Sequence, residues 1–329
     1  MVGFIINRFI AMLLTLVAVS IVAFAIIQLP PGDYLTSYIA ALSATGDQVD
    51  PRVIENLRNQ YGLGEPFLVQ YWKWITGIVQ GNFGHSFEWK RPVWELIWGR
   101  LGYSILIEGM AVIVMWFIAL PIGIYAAVRK YSLGDYLATV GGFIGLAIPN
   151  FFFALILMYL AYTWFGATMG GLFSPQFENA TWSLPRIWDF LGHAWAPVLV
   201  LATAGTAELI RILRANLLDE LKKPYVVTAR AKGLPEWKVV LKYPVRLALN
   251  PLVSTIGWLL PALVSGSVIV SVVMNLPTAG PMLLRSLTTQ DMYLAGAIIL
   301  LLSVLTVIGT LISDILLALI DPRIRYGSR

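Results

Sequence analysis

An all-α, polytopic membrane protein of about six transmembrane helices is the fold class that this sequence predicts, and three observations carry it. Hydrophobic residues make up 58% of the chain and charged residues only 12%, half the roughly 25% of a soluble domain. The apolar residues are gathered into long uncharged runs, which a soluble core does not need. The Lys and Arg residues favour alternate connections between those runs, the pattern left when basic residues resist translocation.

Six segments are long enough to span. A helix rising 1.5 Å per residue needs roughly 20 apolar residues to cross about 30 Å of hydrocarbon with its backbone polar groups satisfied internally. The first, Phe9 to Leu29, is uncharged and runs into Pro30 and Pro31. It is too long for a signal-peptide core and lacks a small-residue cleavage site, so a retained anchor is expected. The second, Ser104 to Val128, contains Glu108 and Pro121, and the third, Tyr136 to Phe165, has Pro149 near its middle. The fourth is weaker: Ala194 to Ile210 carries Glu208 near its end and meets Arg211 on the next turn. Asn250 to Val273 and Met292 to Ile320 complete the set, the last with Asp314.

These spans read as one membrane domain, 1–329, with two extramembrane regions too large for turns, 30–103 and 211–249. Fifteen of the 23 Lys and Arg fall on the side of the N-terminus, the 211–249 loop and the C-terminus, and eight on the other. The basic-rich side is predicted to be the cytoplasm. The net charge of +5 is then accounted for by lipid head groups and the insertion machinery, which sets nucleic acid aside. Without cysteine, no disulfide, thiolate metal site or thiol chemistry is available. His85 and His193 lack ligand spacing, so no metal is expected.

In the external region, Pro31, Gly32 and Asp33 mark a turn. Asp50 and Pro51 open an amphipathic stretch with Val53, Leu57 and Tyr61 on one face, ended by Gly62 and Gly64. A second helical stretch, Pro66 to Gln80, holds Tyr71, Trp72 and Trp74, which suits a helix at the lipid interface or a partner-docking surface.

The loop between spans four and five carries the most information. Pro224 suits an early helical position, Tyr225 to Lys232 reads as about two turns, and Gly233 is placed to end them in a left-handed conformation. Pro235 starts a second helix through Trp237, Val240 and Leu241, and Pro244 breaks or redirects it. Two short helices about a glycine turn, hung on two spans, make a rigid lever. Arg230, Lys232, Lys238 and Lys242 fit equally a solvated face or a lipid-phosphate contact.

The run YVVTARAKGLPEWKVVLKYPVRLALNP from Tyr225 resembles the cytoplasmic coupling loop of ABC importer permeases, specifically the first permease of the dipeptide and oligopeptide group. The family pattern falls on Thr228, Ala229, Arg230, Ala231, Lys232, Gly233 and Leu234. The Pro31-Gly32-Asp33 turn, YGLGEPFLVQYWKWI from Tyr61 and DPRIRYG from Asp321 resemble the same group, so the likeness covers nearly the whole chain. Val227 departs from it, standing where the family has an acidic residue or an arginine.

The resemblance implies a permease subunit that pairs with a second, homologous permease. Each docks on an ATP-binding subunit through its coupling helix, Tyr225 to Leu234 here, and an external solute-binding protein delivers the substrate. Such a chain is no enzyme: ATP and Mg belong to the partner subunits. In agreement, the sequence holds no Gly-rich phosphate loop ending in Lys and Ser or Thr. The location implied is the inner membrane, with both termini cytoplasmic. Di- or oligopeptides rank first as substrate, with oligosaccharides or opine-like solutes as the alternative.

Charges within spans cost a few kcal/mol, so Glu108, Glu208 and Asp314 are candidates for pathway lining or helix bracing. For Glu208 a local ion pair with Arg211 is favoured. Glu108 is expected near the external boundary, in water, and Asp314 near the cytoplasmic end. Pro149 and Asn150 would kink span three and expose carbonyls to a pathway. Gly141 and Gly145, like Gly166 and Gly170, have the spacing that permits close helix contact. A membrane-embedded enzyme would need two carboxylates at one depth, which this distribution does not offer. A channel or scaffold leaves the lever loop unexplained.

Overall fold

Every regular element is a helix in the computed structural model, which describes residues 2–28, 55, 65–178, 180–254 and 256–320. The expected turn at Pro31, the stretch from Asp50 to Tyr61 (Glu55 apart) and the ending from Asp321 lie outside the described residues. The chain divides into two units, 1–103 with 278–307 and 104–277 with 308–329, and each is described by itself.

In the first unit, α1 (Val2–Gln28) packs on α2 (Phe67–Val79). The fully buried Phe24 ring lies 5.3, 5.6 and 5.4 Å from the rings of Phe67, Tyr71 and Trp74. Ser20 and Tyr71 share a hydroxyl–hydroxyl hydrogen bond of 2.7 Å. Trp74 is 3% exposed and lies on Gly296, where an added Cβ would sit 2.9 Å from its ring. Only glycine admits the indole there. Of the two tryptophans expected at the lipid interface, therefore, Trp74 is internal and Trp72 is exposed.

α13 (Ala279–Thr288) and the start of α14 (Met292–Ile320) belong to this unit. Asp291, fully buried, precedes α14 and accepts the Leu294 N–H, the Ser86 hydroxyl and the Glu88 N–H. One carboxylate thus caps a helix and holds a loop, while burial pushes its carboxyl above the usual range.

The remaining helices belong wholly or partly to the second unit. They are α3 (Val93–Val128), α4 (Leu133–Ala147), α5 (Asn150–Phe165), α6 (Leu184–Glu220), α7 (Pro224–Ala231), α8 (Glu236–Lys242), α9 (Pro244–Ala248), α10 (Asn250–Ser254), α11 (Ile256–Ser265) and α12 (Val268–Val273). Two expected spans are broken. The third is not one kinked helix but α4 and α5, bent by 97°. Proline restricts its predecessor to extended backbone and donates no hydrogen bond; Ile148 is extended and Pro149 caps α5. The fifth is interrupted at Gly266, whose φ is +53°, and Ser267 caps α12 through its hydroxyl.

Among the described residues α3, α6 and α14 are long and apolar enough to cross a membrane, and the bent pair makes a fourth if it counts as one span. Shorter apolar stretches cover Phe9–Ala25 and Pro261–Val273. The 37 residues of α6 rise roughly 55 Å, well beyond the hydrocarbon, so its charged end, Arg211 to Glu220, continues out of the apolar segment. Leu209, Ile210, Leu213 and Leu217 of α6 form a buried cluster with Ala119 and Ala127 of α3 and with Val240, Val245, Ala248 and Leu252.

Candidate functional site

The lever loop starts where α6 ends. Pro224 occupies the first turn of α7, where a missing N–H costs nothing. The helix closes in a full Schellman arrangement: the Gly233 N–H reaches the Arg230 carbonyl at 2.9 Å, and the Leu234 N–H reaches the Ala229 carbonyl at 3.4 Å. Gly233 has φ +73°, with nothing within 4 Å of an added Cβ, so glycine is required by conformation and not by space. Pro235 caps α8, and Tyr243 leads through Pro244 into α9.

The hairpin has its own small core, Val226, Ala229 and Val239 with Tyr225 and Tyr243 packed against it. The Tyr225 hydroxyl donates to the Glu220 carboxylate; burial, and then that bond, raise its pKa. Across the glycine turn Arg230 forks onto Glu236, with Nη2–Oε1 at 2.5 Å and Nε–Oε2 at 3.1 Å. That guanidinium holds the Glu236 carboxyl below its usual range.

The eight residues expected to couple thus divide. Ala229 is buried and Tyr225 half-buried, both spent on the hairpin itself. Thr228, Arg230, Ala231, Lys232, Gly233 and Leu234 are exposed. Beside them Val227, Trp237 and Leu241 are 58%, 63% and 52% exposed. Trp237, Val240 and Leu241, spaced three and four apart, do not share one packed apolar face: Val240 is buried, whereas Trp237 and Leu241 face out.

The outward face is therefore apolar and basic, on a buried apolar base. Leu213 and Leu217 are fully buried in the cluster that α6 shares with α3, α8, α9 and α10. In water each such leucine contributes about 1.5–3 kcal/mol. One turn of α6 also carries Arg214, whose guanidinium forks onto Asp135 of α4 at 2.6 and 2.7 Å. Nothing in the local pattern announces this pair. Its one sequence signal is Ser132 three residues before Asp135, a helix-start pattern, and the Ser132 hydroxyl does accept the Asp135 N–H.

The membrane candidates do not gather into one site. Glu108 is not in open water: its carboxylate lies against Gly266, where an added Cβ would meet Oε1 at 2.5 Å, and it accepts the Ser267 N–H. Glu208 is exposed and forms no ion pair with Arg211 among the described residues. Asp314 is half-buried in α14. Pro149 and Asn150 stand at the α4–α5 bend, Pro149 exposed.

A Cβ added at Gly145 would meet Thr203 and Ala207 of α6 at contact distance, as its spacing suggested, whereas one added at Gly141 would meet no other side chain. Gly141 lines an open groove of about 300 Å³ with Ile118, Ile122 and Thr206. Gly166 is not a packing residue but the left-handed cap of α5. No cluster of three or more His, Asp or Glu able to hold a metal occurs among the described residues.

Two family models match the chain. That of the binding-protein-dependent transport system inner membrane component covers residues 119–326, and that of the N-terminal part of such components covers residues 1–108. The chain is 38% identical over 334 residues to the oligopeptide transport system permease protein AppB of Bacillus subtilis, covering 99% of this chain and all of that protein. It is 32% identical over 326 residues to the glutathione transport system permease protein GsiC of Salmonella typhimurium, covering 99% of this chain and all of that one.

Proposed function

Because this chain belongs to the family of binding-protein-dependent transport system inner membrane components, we propose that it is the permease subunit of an ATP-driven importer of peptides, and that the hairpin Pro224–Ala248 receives the force. The observation that carries the reading is the hairpin's exposed apolar and basic face, Val227, Arg230, Lys232, Leu234 and Trp237, standing on a fully buried root at Leu213 and Leu217. A partner gripping that face moves α6 with it.

In this reading the chain crosses the inner membrane six times as one permease domain. Both termini and the 211–249 loop are in the cytoplasm, and the 30–103 insert is outside. It lines the path with a second permease; two ATP-binding subunits hold ATP and Mg, and an external solute-binding protein presents the substrate. ATP binding closes the ATP-binding subunits, the hairpin travels with its docking cleft, and the helices rock between outward and inward access. Pro149 and Asn150 at the α4–α5 bend, and Glu108 at the α11–α12 break, are where the spans expose polar backbone to a path. Asp314 braces the inner end of α14, and Glu208, exposed on α6, faces the path. Peptide is favoured as substrate because the relatives carry oligopeptide and glutathione in their names, and glutathione is itself a tripeptide.

Purification of the tagged chain should recover a second permease and an ATPase. In proteoliposomes, Gly233→Pro should abolish ATP-driven peptide uptake while peptide still binds to the solute-binding protein. Uptake that persists at an unchanged ATP cost would refute the hairpin's role. A binding protein whose melting temperature is raised by sugars and not by peptides would refute the substrate.

A further inference from the structure

A force delivered to the hairpin reaches α6 through the buried leucines, but transport needs it to leave α6 for another helix. The apolar contacts between α4 and α6 include Gly145 against Thr203 and Ala207, a close small-residue packing that carries no directional bond. One polar contact is different. Arg214 shares its helical turn with Leu213 and Leu217, which belong to the same buried cluster as Val240, Val245 and Ala248 of the hairpin, and it turns the other way to α4. Its Nε meets Asp135 Oδ1 at 2.6 Å and its Nη2 meets Oδ2 at 2.7 Å.

A fork of two parallel bonds fixes both distance and rotation. Asp135 is 2% exposed, and it is held from behind as well: Oδ2 accepts the Tyr131 N–H at 2.9 Å, and Tyr131 takes φ +65° to deliver it. The carboxylate is thus anchored in the α3–α4 turn while it grips α6. Beyond it, α4 runs to the 97° bend at Ile148 and Pro149.

We infer that the Asp135–Arg214 fork is the positioning link that passes displacement of the hairpin-bearing end of α6 to the bent pair α4–α5. The inference rests on the function proposed above.

The test uses the whole importer in proteoliposomes, with a fluorescent tripeptide that the solute-binding protein retains as the probe, and reads peptide imported per ATP hydrolysed. Asp135→Asn and Arg214→Gln should each lower that ratio about tenfold while ATP hydrolysis continues, the scale of a broken coupling between sites. The swap Asp135→Arg with Arg214→Asp should recover part of it. Arg214→Lys, which keeps the charge but loses the fork, should lie between. Single variants that keep the wild-type ratio, or lose uptake and hydrolysis in proportion, overturn the inference. If the neutral variants do not assemble, Arg214→Lys decides: a lowered ratio upholds the link, and a wild-type ratio or failed assembly overturns it. Absence of ATP-driven uptake in the wild type would instead sink the proposed function.

Discussion

Two arginine–carboxylate forks of the same chemistry lie within the second unit and are built for opposite circumstances. Arg230 and Glu236 close the hairpin across Gly233 with side chains 43% and 54% exposed, whereas Arg214 and Asp135 join two long helices at 26% and 3%. Water and salt compete for the first pair, which is worth little. The second has no such substitute. With Asp135 buried, removing Arg214 strands a carboxylate, whereas Arg214 itself, 26% exposed, keeps access to water. The lesson is one of placement: the exposed fork shapes an outward surface, which in the proposed function a partner grips and releases, and the buried one ties α4 to α6.

The contrast breaks if the two forks respond alike to neutralisation. Arg214→Gln, which leaves the buried Asp135 carboxylate unpaired, should remove about 4 kcal/mol of stability, read as the denaturation midpoint of the purified complex. Leu217→Ala, which opens a void in the root of the hairpin, should remove about 3 kcal/mol; the same measurement at low and high salt should agree, since no charge is involved. Gly233→Ala should remove about 1–2 kcal/mol, because only backbone conformation opposes it, and Gly233→Asn should remove less.

Glu236→Gln should have the smallest effect, about 0.2–1 kcal/mol, and high salt should erase it. Its pH dependence has a definite sign. Arg230 lowers the folded-state pKa of Glu236 from its ordinary 4.5, so the contribution is fully present above that value and is lost as pH falls through the depressed one. A contribution that grew on acidification would mean that the fork does not form in solution. Equal losses from Glu236→Gln and Arg214→Gln would erase the distinction altogether.

Much of the hairpin was legible because its signals are local. Pro224, Gly233, Pro235 and Pro244 act on their own backbone dihedrals, and the observed boundaries, Pro224–Ala231 and Glu236–Lys242, follow from them. The last helix, Met292–Ile320, was likewise legible from hydropathy alone. The broken spans were half legible. Pro149 announced a bend, but a kink and a 97° break share one sequence, and Gly266 has φ +53° where the glycine by itself marks no break. The expected Glu208–Arg211 pair failed because adjacency along a helix permits a contact without requiring it.

By itself, then, the sequence determined the helical class, the apolar segments and the glycine turn, since hydropathy, proline and glycine act within a few residues of where they stand. Only the tertiary structure decided that Trp74 turns inward onto Gly296, that Glu108 meets the break at Gly266, and that Arg214 finds Asp135, 79 residues away. Those outcomes depend on which helix faces are brought together. A charge does not reveal its partner until packing has excluded the water that would otherwise serve.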